Sequence, residues 1–275
     1  MLNNKSFIPR HINATADELA GNNGKGRYIF LPGSDSRAKE IAQSFDNLVV
    51  KQHTRGHHLY LGTLSDNAKT IEVASISSGM GCPSMEIILH ELFHLGGKRF
   101  LRVGTAGSLQ PSVKVGDLIN AEGSVRDEGT TIHYAPLSVP AIASFEVVAA
   151  VLKAATKLGF EKHVQSGIVH CKSAYYAREF SAGPNAELNK AFLQLLAQCG
   201  VLASEMETAA LFIQSQIYNQ QLMQEGRGPA YRVLSGAILG VVSASLNQKE
   251  ESVTIDRLIK LALETVKTLE GSSHG

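Results

Sequence analysis

Two kinds of apolar run alternate along the chain, and each predicts a different secondary structure. Short continuous apolar runs that are bounded by turn residues are typical of buried strands. Apolar residues that recur every three to four positions over longer stretches are typical of helices that bury one face. The predicted strands cover residues 27–31, 47–51, 58–64, 70–77, 100–103, 117–122, 164–171 and 231–242. The predicted helices are a segment of about ten residues that ends at Phe45 and the segments 85–95, 144–158, 185–198, 206–218 and 252–269. Residues 172–178 and 219–230 are predicted to be loops.

The order of these elements predicts the fold class. A block that is rich in strands comes first, and strands then alternate with helices through the second half of the chain. Such alternation favours an α/β fold, in which helices cover both faces of one sheet. Because the sequence has no internal repeat and no clear linker, we expect residues 1–275 to form a single domain. Residues 1–26 form a segment before the first strand, and residues 272–275 are expected to be a disordered tail.

Composition and charge exclude several classes of function. Hydrophobic residues make up 44% of the chain and charged residues 19%, which is typical of a water-soluble globular protein. No apolar run approaches the ~18 residues that a membrane-spanning helix needs, and the N-terminus lacks the apolar core of a signal peptide. A formal net charge of +1 gives no electrostatic basis for binding nucleic acid. Three scattered cysteines form neither a disulfide framework nor a metal cluster, which fits a reducing cytoplasm.

Arg102 lies inside the apolar run 100–103, where a buried guanidinium requires a partner. Residues 104–108 read Gly-Thr-Ala-Gly-Ser and are expected to form a loop whose backbone amides face a ligand. An arginine close to such a loop indicates an anion, and phosphate is the natural candidate. A structural ion pair between Arg102 and a carboxylate is the alternative.

The turn at residues 32–37 is a second candidate for anion binding. Its sequence, Pro-Gly-Ser-Asp-Ser-Arg, places capping side chains at the start of the first predicted helix. A glycine-containing turn between a strand and a helix presents free amides and the positive end of the helix dipole, and Arg37 adds a cation at its edge. An ordinary connection between a strand and a helix is the alternative. A further cation, Arg55, sits in a turn between two predicted strands.

The helix at 85–95 contains His90, Glu91 and His94 in the order of the zinc-protease motif H-E-x-x-H. Both histidines share one helical face, as the motif requires. The extended motif needs a third histidine six residues later, but that position is Phe100, inside a predicted strand. A glutamate from farther along the chain, such as Glu122, is another candidate for the third ligand. The alternative is that these are ordinary residues of a helix that partly faces solvent.

Residues 204–208, Ser-Glu-Met-Glu-Thr, lie at a predicted junction between a strand and a helix. They place two carboxylates two residues apart in the first turn of the helix. Glu207 can accept hydrogen bonds from two neighbouring hydroxyl groups, the kind of contact by which a ribose is held. The alternative is that acidic residues at this position only stabilise the helix dipole.

Several of these segments, in their order and approximate spacing, resemble the nucleoside phosphorylase superfamily of the trimeric and hexameric type, and most closely its uridine phosphorylase branch. The segments are 27–37, 78–84, 100–107, 116–117, 133–136 and 204–210. The resemblance covers nearly the whole chain, from His11 to the last predicted helix. It implies a single α/β domain with a central mixed, twisted β-sheet that is partly barrel-like and is flanked by helices.

The resemblance implies phosphorolysis, in which phosphate attacks C1′ of a nucleoside, expels the base and leaves ribose 1-phosphate. Arg37 and Arg102 are the implied catalytic residues, because they would stabilise the attacking anion and the developing charge. The implied phosphate ligands are Gly33, Arg37, Arg102 and Thr105, with Arg55 from the neighbouring subunit of a dimer. The implied ribose contacts are Met206, Glu207 and His11, of which His11 reaches across the dimer. The implied base contacts are Ala106, Gly107, Tyr175, Arg178 and Ser245.

Departures from the family pattern fall in the base pocket. Uridine phosphorylases follow the aromatic residue at position 175 with a glutamine and an arginine that grip the amide edge of uracil, whereas residues 175–183 offer only Arg178. Purine phosphorylases of the superfamily use a Ser-Asp pair near the last strand, but residues 242–247 contain no aspartate. We therefore expect a slow or broad pyrimidine nucleoside phosphorylase in which Arg178 contacts a base oxygen.

The resemblance also has implications for partners. It implies nucleoside and phosphate as substrates, no resident cofactor or metal, and a homodimer with shared active sites that assembles into a hexamer. Gly56 replaces a glutamate that in the family helps to bind a monovalent cation between subunits, so the resemblance does not imply that cation site here. Ser34 replaces the aspartate that is usual in the first phosphate-binding turn. We expect no nucleic-acid or membrane partner and a cytoplasmic location. The alternatives are a nucleosidase that uses water, a noncatalytic nucleoside-binding protein and a zinc hydrolase, and a ring of three phosphate-holding arginines favours the phosphorylase.

Overall fold

The computed structural model describes residues 7–67, 69–228, 231–243 and 248–272 of the chain. The strands are β1 (Tyr28–Leu31), β2 (Asp46–Lys51), β3 (Leu59–Asp66), β4 (Lys69–Ser75), β5 (Arg99–Ser108), β6 (Leu118–Asp127), β7 (Ala141–Ile142), β8 (Val164–Lys172), β9 (Ala203–Glu205) and β10 (Leu234–Val241). The helices are α1 (Ala16–Ala20), α2 (Asp35–Ala42), α3 (Cys82–His94), α4 (Phe145–Leu158), α5 (Tyr175–Phe180), α6 (Ala186–Gln198), α7 (Thr208–Gln224) and α8 (Gln248–Ser272). The predicted base contact Ser245 and residues 273–275 of the predicted tail lie outside the described residues.

These strands belong to one mixed sheet. Strands β5, β10, β6, β8 and β9 close into a ring, because β5 pairs with β10 on one side and with β9 on the other. The sheet continues from β5 through β1, β4, β3 and β2, and the short β7 is attached to β6. The α/β class and the mixed, partly barrel-like sheet are thereby confirmed.

Helices cover both faces of the sheet, as the alternation of elements predicted. Successive side chains of a strand point to opposite faces, and those of β1 divide between two apolar clusters accordingly. Ile29 and Leu31 pack in the cluster that contains α3 and α7. Tyr28 and Phe30 pack in the cluster that contains α2, α4 and α8. Burial on both faces explains why this strand is a continuous apolar run rather than an alternating one.

The glycine-rich segment after Arg102 is a strand, and its prediction as a ligand-facing loop was wrong. Strand β10 pairs with β5 in parallel as far as Ala106, which lies opposite Val241. Strand β9 pairs antiparallel with the end of β5, where Gly107 lies opposite Ser204. The strand ladders therefore extend along the whole segment, which leaves no loop. Glycine suits these positions because side chains fold over the backbone there.

Two other loop predictions were also wrong in part. Residues 175–178, part of the predicted loop 172–178, belong to the short helix α5, and α7 continues to Gln224 through the first half of the predicted loop 219–230. Helix α7 extends because Tyr218 and Leu222, four residues apart, are both buried against the core. The ring of Tyr218 stacks on Phe93 of α3 at a centroid distance of 4.6 Å. Strand β6 likewise extends beyond its predicted end, because β8 pairs with it as far as Asp127.

Helix α4 was predicted within one residue at each end. Gly159 follows its last residue in the left-handed conformation, with φ at 69°, which is the usual helix stop. Ser144 precedes the helix, but its hydroxyl accepts a hydrogen bond from the Ser235 amide at 3.0 Å instead of capping α4. In the part of the chain that is described, no helix combines the length and apolar character needed to cross a membrane.

Candidate active site

The side chain of Arg102 is buried inside β5, and the residue is only 3% exposed. Its Nε donates to Glu205 Oε2 over 3.1 Å, and its Nη2 donates to the carboxylate of Glu207. Its remaining nitrogen, Nη1, is buried as well and meets no acceptor among the described residues. The ion-pair interpretation of Arg102 is therefore correct for Nε and Nη2. The unpaired Nη1 is the arrangement expected of a site that receives an anion.

The two carboxylates are held in different ways. Glu205 accepts hydrogen bonds from the backbone amides of Glu207, at 2.8 Å, and Thr208, at 2.9 Å, and from the Thr208 hydroxyl at 2.5 Å. Glu207 accepts one from the backbone amide of Gly81 at 2.5 Å. Glu205 ends β9 and Glu207 is the residue just before α7, so neither lies in the first helical turn as the sequence predicted. Glu205 thus stabilises the start of α7, and Glu207 links it to the turn before α3.

Burial and opposite charge set the protonation of this cluster. Burial favours the neutral form of Glu205, but the charge of Arg102 and the bonds from Thr208 outweigh it and hold its pKa below the ordinary value. For Glu207 burial dominates and raises the pKa, although Arg102 opposes the shift. Burial disfavours the charged form of Arg102, but the carboxylates of Glu207 and Glu205 more than compensate and raise its pKa. Glu205 is therefore the firm anion of the cluster, whereas burial favours the protonated form of Glu207 even though it contacts Arg102.

Two glycine-containing turns lie beside this cluster. The backbone amide of Ser78 donates to the carbonyl before Gly33 over 2.8 Å. A Cβ on Gly33 would lie 3.7 Å from the carbonyl oxygen of Gly79, so the two backbones approach closely. Gly81, in the second turn, donates to Glu207. The structure therefore brings together four segments that carried the resemblance, those around Gly33, Gly81, Arg102 and Glu207.

Arg37, Thr105 and Met206, the other predicted contacts of these segments, are half-buried, and Ser34 is exposed. Ser34 caps α2 by accepting from the Arg37 amide at 3.3 Å, as the turn sequence predicted. The Arg37 side chain pairs with Glu40 through its Nε at 3.2 Å and is 19% exposed. Thr105 comes after Arg102 on β5, and Met206 stands between Glu205 and Glu207 in the sequence. Thr105 and Met206 are each partly accessible to solvent.

The contacts of Arg55 and His11 are with other parts of this chain than the Arg102 cluster. Arg55 is exposed in the turn between β2 and β3. His11 lies against α3, with its Nδ1 at 2.6 Å from Glu91 Oε1. Their implied roles in the active site of a neighbouring subunit stay predictions.

The described residues give the zinc-protease interpretation no support. Glu91 accepts hydrogen bonds from the backbone amides of residues 10–12 as well as from His11, so it anchors the N-terminal segment to α3. His90 and His94 face each other with their Nε2 atoms 3.0 Å apart. Among the residues that are described, no three His, Cys, Asp or Glu side chains are grouped to hold a metal ion. Phe100, at the position of the extended motif, packs edge-on against Phe93.

Lys172 is a buried residue near the predicted base contacts that the sequence analysis missed. It ends β8 and is only 1% exposed. Its Nζ donates to the Ser204 hydroxyl over 2.7 Å, lies 3.0 Å from Glu179 Oε2 and stands 5.7 Å from the ring centre of Tyr175. A signal was available, because Lys172 follows a predicted buried strand directly, and the carboxyl ends of parallel strands often carry functional residues.

The guanidinium of Arg178 is occupied by hydrogen bonds to Asp127 and Asn189. Its Nη2 donates to Asp127 Oδ1 at 2.9 Å, its Nη1 donates to Asn189 at 2.7 Å, and its guanidinium covers the ring of Phe192. Asp127 also faces His170 Nε2 at 3.0 Å, and burial of Asp127 is outweighed by His170 and Arg178, which lower its pKa. Arg178 lies in helix α5 rather than in a loop, and its donors connect α5 to β6 and α6.

Comparison with known proteins agrees with this arrangement. A family model for the phosphorylase superfamily matches residues 27–223. The chain is 34% identical over 266 residues to a uridine phosphorylase from Treponema pallidum (strain Nichols), an alignment that covers 94% of this chain and 93% of that protein. It is 28% identical to a uridine phosphorylase from Escherichia coli (strain K12), covering 94% of this chain and 97% of that protein. It is 30% identical to a DeoD-type purine nucleoside phosphorylase from Limosilactobacillus reuteri (strain DSM 20016), covering 93% and 97%. This chain therefore belongs to the phosphorylase superfamily.

Proposed function

We propose that this protein is a uridine phosphorylase-like pentosyltransferase that cleaves pyrimidine nucleosides with inorganic phosphate. An oxygen of phosphate attacks C1′ of the ribose, the bond from C1′ to the base nitrogen breaks, and its electron pair leaves with the base. The products are the free base and ribose 1-phosphate. The observation that carries the proposal is the buried Nη1 of Arg102, which has no partner among the described residues although it lies where the family's segments meet.

In this proposal the phosphate is held by the Gly33 amide, Arg37, Thr105 and Arg102, with Arg55 supplied by a neighbouring subunit. Arg102 is already oriented by its two carboxylates, so little reorganisation is needed when phosphate arrives. A preorganised cation in a buried site stabilises developing negative charge far better than one in water does. Phosphate is a co-substrate, and the proposed reaction requires no resident cofactor.

The ribose is assigned to Glu207, Met206 and His11. Glu207 holds one carboxylate oxygen on Gly81 and the other on Arg102, so a ribose hydroxyl would bind to the remaining acceptor positions of those oxygens. Because Arg102 and Glu207 are in direct contact, sugar and phosphate would be bound side by side. This proximity is what attack of phosphate on C1′ requires.

We also place the enzyme in the cytoplasm as a homodimer with shared active sites that assembles into a hexamer and serves nucleoside salvage. Strand β2 supports a subunit contact, because Leu48, Val49 and Val50 expose apolar surface and lie close in sequence to Arg55. Such a contact would bring Arg55 of one chain to another. The monovalent cation of related dimers is not assigned here, because Gly56 offers no side chain for it.

The proposal is tested with purified protein and a panel of uridine, thymidine, inosine and adenosine, each with and without inorganic phosphate. We expect release of uracil and thymine that requires phosphate and is matched by equal amounts of ribose 1-phosphate. Base release that does not depend on phosphate would show a nucleosidase. Nucleoside binding without release would show a noncatalytic member of the superfamily, and a strong preference for inosine or adenosine would contradict the pyrimidine assignment.

A further inference from the structure

Lys172 and Glu179 form an ion pair at the end of the ring of strands, next to residues that the resemblance assigned to the base. A Cβ on Gly107 would lie only 2.2 Å from Glu179 Oε1, so the carboxylate rests directly on the backbone of β5. Gly107 is in turn paired with Ser204, which accepts the hydrogen bond from Lys172. The ring centre of Tyr175 lies 5.7 Å from the same ammonium. The pair thus occupies the position where a base is expected.

A buried ammonium with so few neighbours needs a functional or structural reason. An ammonium group carries three donors and no acceptor, and Ser204 accounts for one of them. Glu179 Oε2 lies 3.0 Å from Nζ as an ion-pair partner, but it has no hydrogen-bond partner among the described residues. The charge of Lys172 also reaches Glu207, where it favours the ionised carboxylate. Lys172 therefore lies between the residue proposed to bind ribose and the residues proposed to bind the base.

We propose, on the basis of the function proposed above, that Lys172 and Glu179 together bind the lactam edge of a pyrimidine base. In the complex, Lys172 Nζ donates to a ring carbonyl oxygen, and the Glu179 carboxylate accepts from the neighbouring ring N–H. The two side chains contact each other in the free protein, at 3.0 Å, and the base is inserted between them. They take the place of the glutamine and arginine pair, of which residues 175–183 offer only Arg178.

This donor and acceptor pattern is selective. Uracil and thymine present a carbonyl oxygen beside an N–H, which pairs with Lys172 and Glu179. Cytosine presents an unprotonated ring nitrogen at the same position, and two acceptors would then face each other. A buried acceptor without a donor is costly, so cytidine should be cleaved at least tenfold less efficiently than uridine.

Lys172 also has a place in bond cleavage. When the glycosidic bond breaks, its electron pair moves onto the base and is shared with the ring carbonyl oxygens. An ammonium that contacts such an oxygen stabilises the leaving base more than it stabilises the bound nucleoside. Loss of Lys172 should therefore lower kcat as well as weaken binding.

A chain of hydrogen bonds fixes the ammonium in place. Ser204 accepts from Lys172 and also shares a hydrogen bond with His170 Nδ1, which lies 3.0 Å away. His170 Nε2 in turn lies within hydrogen-bond distance of Asp127 Oδ2, at 3.0 Å. Arg178 holds Asp127 from the other side. His170 and Arg178 are positioning residues in this scheme, and they act on the base only through Lys172.

The test compares kcat and KM for uridine and cytidine in four variants. Lys172→Met removes the ammonium at nearly constant length, and Glu179→Gln replaces the carboxylate with an amide that can also donate to a ring nitrogen. Lys190→Met and Glu187→Gln change exposed residues of α6 in the same way and serve as matched controls. Thermal unfolding shows which variants are folded.

We expect Lys172→Met to lower kcat/KM for uridine about a hundredfold, with the KM for phosphate nearly unchanged. We expect Glu179→Gln to reduce the preference for uridine over cytidine at least tenfold, a change that a purely structural role would not produce. The controls should behave as wild type. Wild-type kinetics in folded Lys172→Met, or equal losses on uridine and cytidine in Glu179→Gln, would overturn the proposal.

The same variants separate this proposal from the proposed function. If wild-type protein releases no base with phosphate, the phosphorylase assignment fails, and binding of free uracil and cytosine by calorimetry becomes the measurement. Lactam recognition then predicts binding of uracil over cytosine that is lost in Lys172→Met. Equal binding of both bases, or binding of neither, would show that the pair does not recognise a base.

Discussion

Arg102 has two tasks that depend on the same guanidinium. Its Nε and Nη2 neutralise the buried carboxylates of Glu205 and Glu207, and its Nη1 is proposed to hold phosphate. Complete removal of the side chain would leave buried carboxylates without their cation, a change that costs about 3–5 kcal/mol in comparable cases. A conservative variant is therefore the better probe of its catalytic role.

Arg102→Lys should keep the fold and lose most of the phosphate-dependent activity. An ammonium preserves the charge but lacks the planar fork that contacts two carboxylates and an anion together. We expect kcat/KM for phosphate to fall about a hundredfold, or about 3 kcal/mol in transition-state stabilisation. Initial rates at varied phosphate measure this effect, and Arg232→Lys, at an exposed pair with Glu146, is the matched control. Unchanged phosphate dependence would remove Arg102 from the site.

Glu205→Gln tests the structural half of the cluster. The variant keeps the size of the side chain but removes the anion that pairs with Arg102 and accepts from Thr208. We expect the free energy of unfolding at pH 7 to fall by about 3 kcal/mol, measured by urea denaturation. Asp256→Asn, which alters an exposed pair with Lys260, should cost far less.

The pH dependence of that difference has a definite sign. Because the pKa of Glu205 is lowered in the folded protein, its contribution is present above the unfolded pKa of 4.5. It is lost as the pH falls below 4.5 through the lower folded value, when the carboxylate protonates. The wild type and Glu205→Gln should therefore converge in stability below pH 4.5. A gap that stays constant down to acid unfolding would show that Glu205 is not the anion we describe.

At the scale of elements, β5 combines a structural and a functional role because its glycines leave space beside the strand for the side chains of other residues. At Gly104 an added Cβ would lie 2.7 Å from Arg102 Nη2, so this glycine makes room for the guanidinium. At Gly107 the neighbour is the end of a flexible side chain, Glu179 on α5. In β10, by contrast, Gly236 packs against the branched side chain of Val147 in α4, with a Cβ distance of 2.3 Å.

These contacts predict different outcomes for two similar substitutions. Gly107→Ala should push the Glu179 carboxylate aside at little cost to stability, because that side chain can rotate, and should reduce activity and the preference for uridine. Gly236→Ala should lower the free energy of unfolding by about 1–3 kcal/mol, because Val147 is enclosed in the core. Urea unfolding and steady-state kinetics on both variants distinguish the two effects. A strongly destabilised Gly107→Ala would contradict the contact that we assign to Glu179.

At the scale of the whole molecule, the proposed site is complete only in an oligomer. Arg102 and Glu207 are in contact within one chain, whereas Arg55 is exposed in the turn between β2 and β3 and is assigned to the site of a neighbouring chain. A site that draws on two chains can be rebuilt from two inactive proteins, provided that each contributes a different intact residue.

Mixing Arg55→Ala with Glu207→Ala chains should restore activity. In each mixed dimer one site combines Glu207 from the first variant with Arg55 from the second, while the other site lacks both. Random exchange should therefore recover about a quarter of the wild-type sites. Activity after denaturation and joint refolding measures the recovery, and each variant refolded alone is the control. If exchange is shown by mass labelling and no activity returns, Arg55 acts within its own chain.

The sequence by itself determined the class of fold, and it indicated the candidate residues for phosphate and ribose that stay predictions. Hydrophobic periodicity reports local conformation, so α4 and the strands from β1 to β4 were predicted close to their observed bounds. The burial of Arg102 followed from its position in an apolar run, because a charged residue there needs a partner. The short segments around Gly33, Arg102 and Glu207 carried the family resemblance because each supplies a local backbone or charge feature.

Only the tertiary structure decided which residues face one another. Arg102 and Glu205 are 103 residues apart in the chain, and no local pattern shows that they share a hydrogen bond. Pairing with β10 and β9 turned the expected loop 104–108 into strand, because ladder bonds outweigh the weak strand preference of glycine. Helix α5 turned Arg178 toward Asp127 and set Glu179 against Lys172. The closing of the strand ring places these residues together, since contacts between distant segments depend on packing that sequence periodicity does not encode.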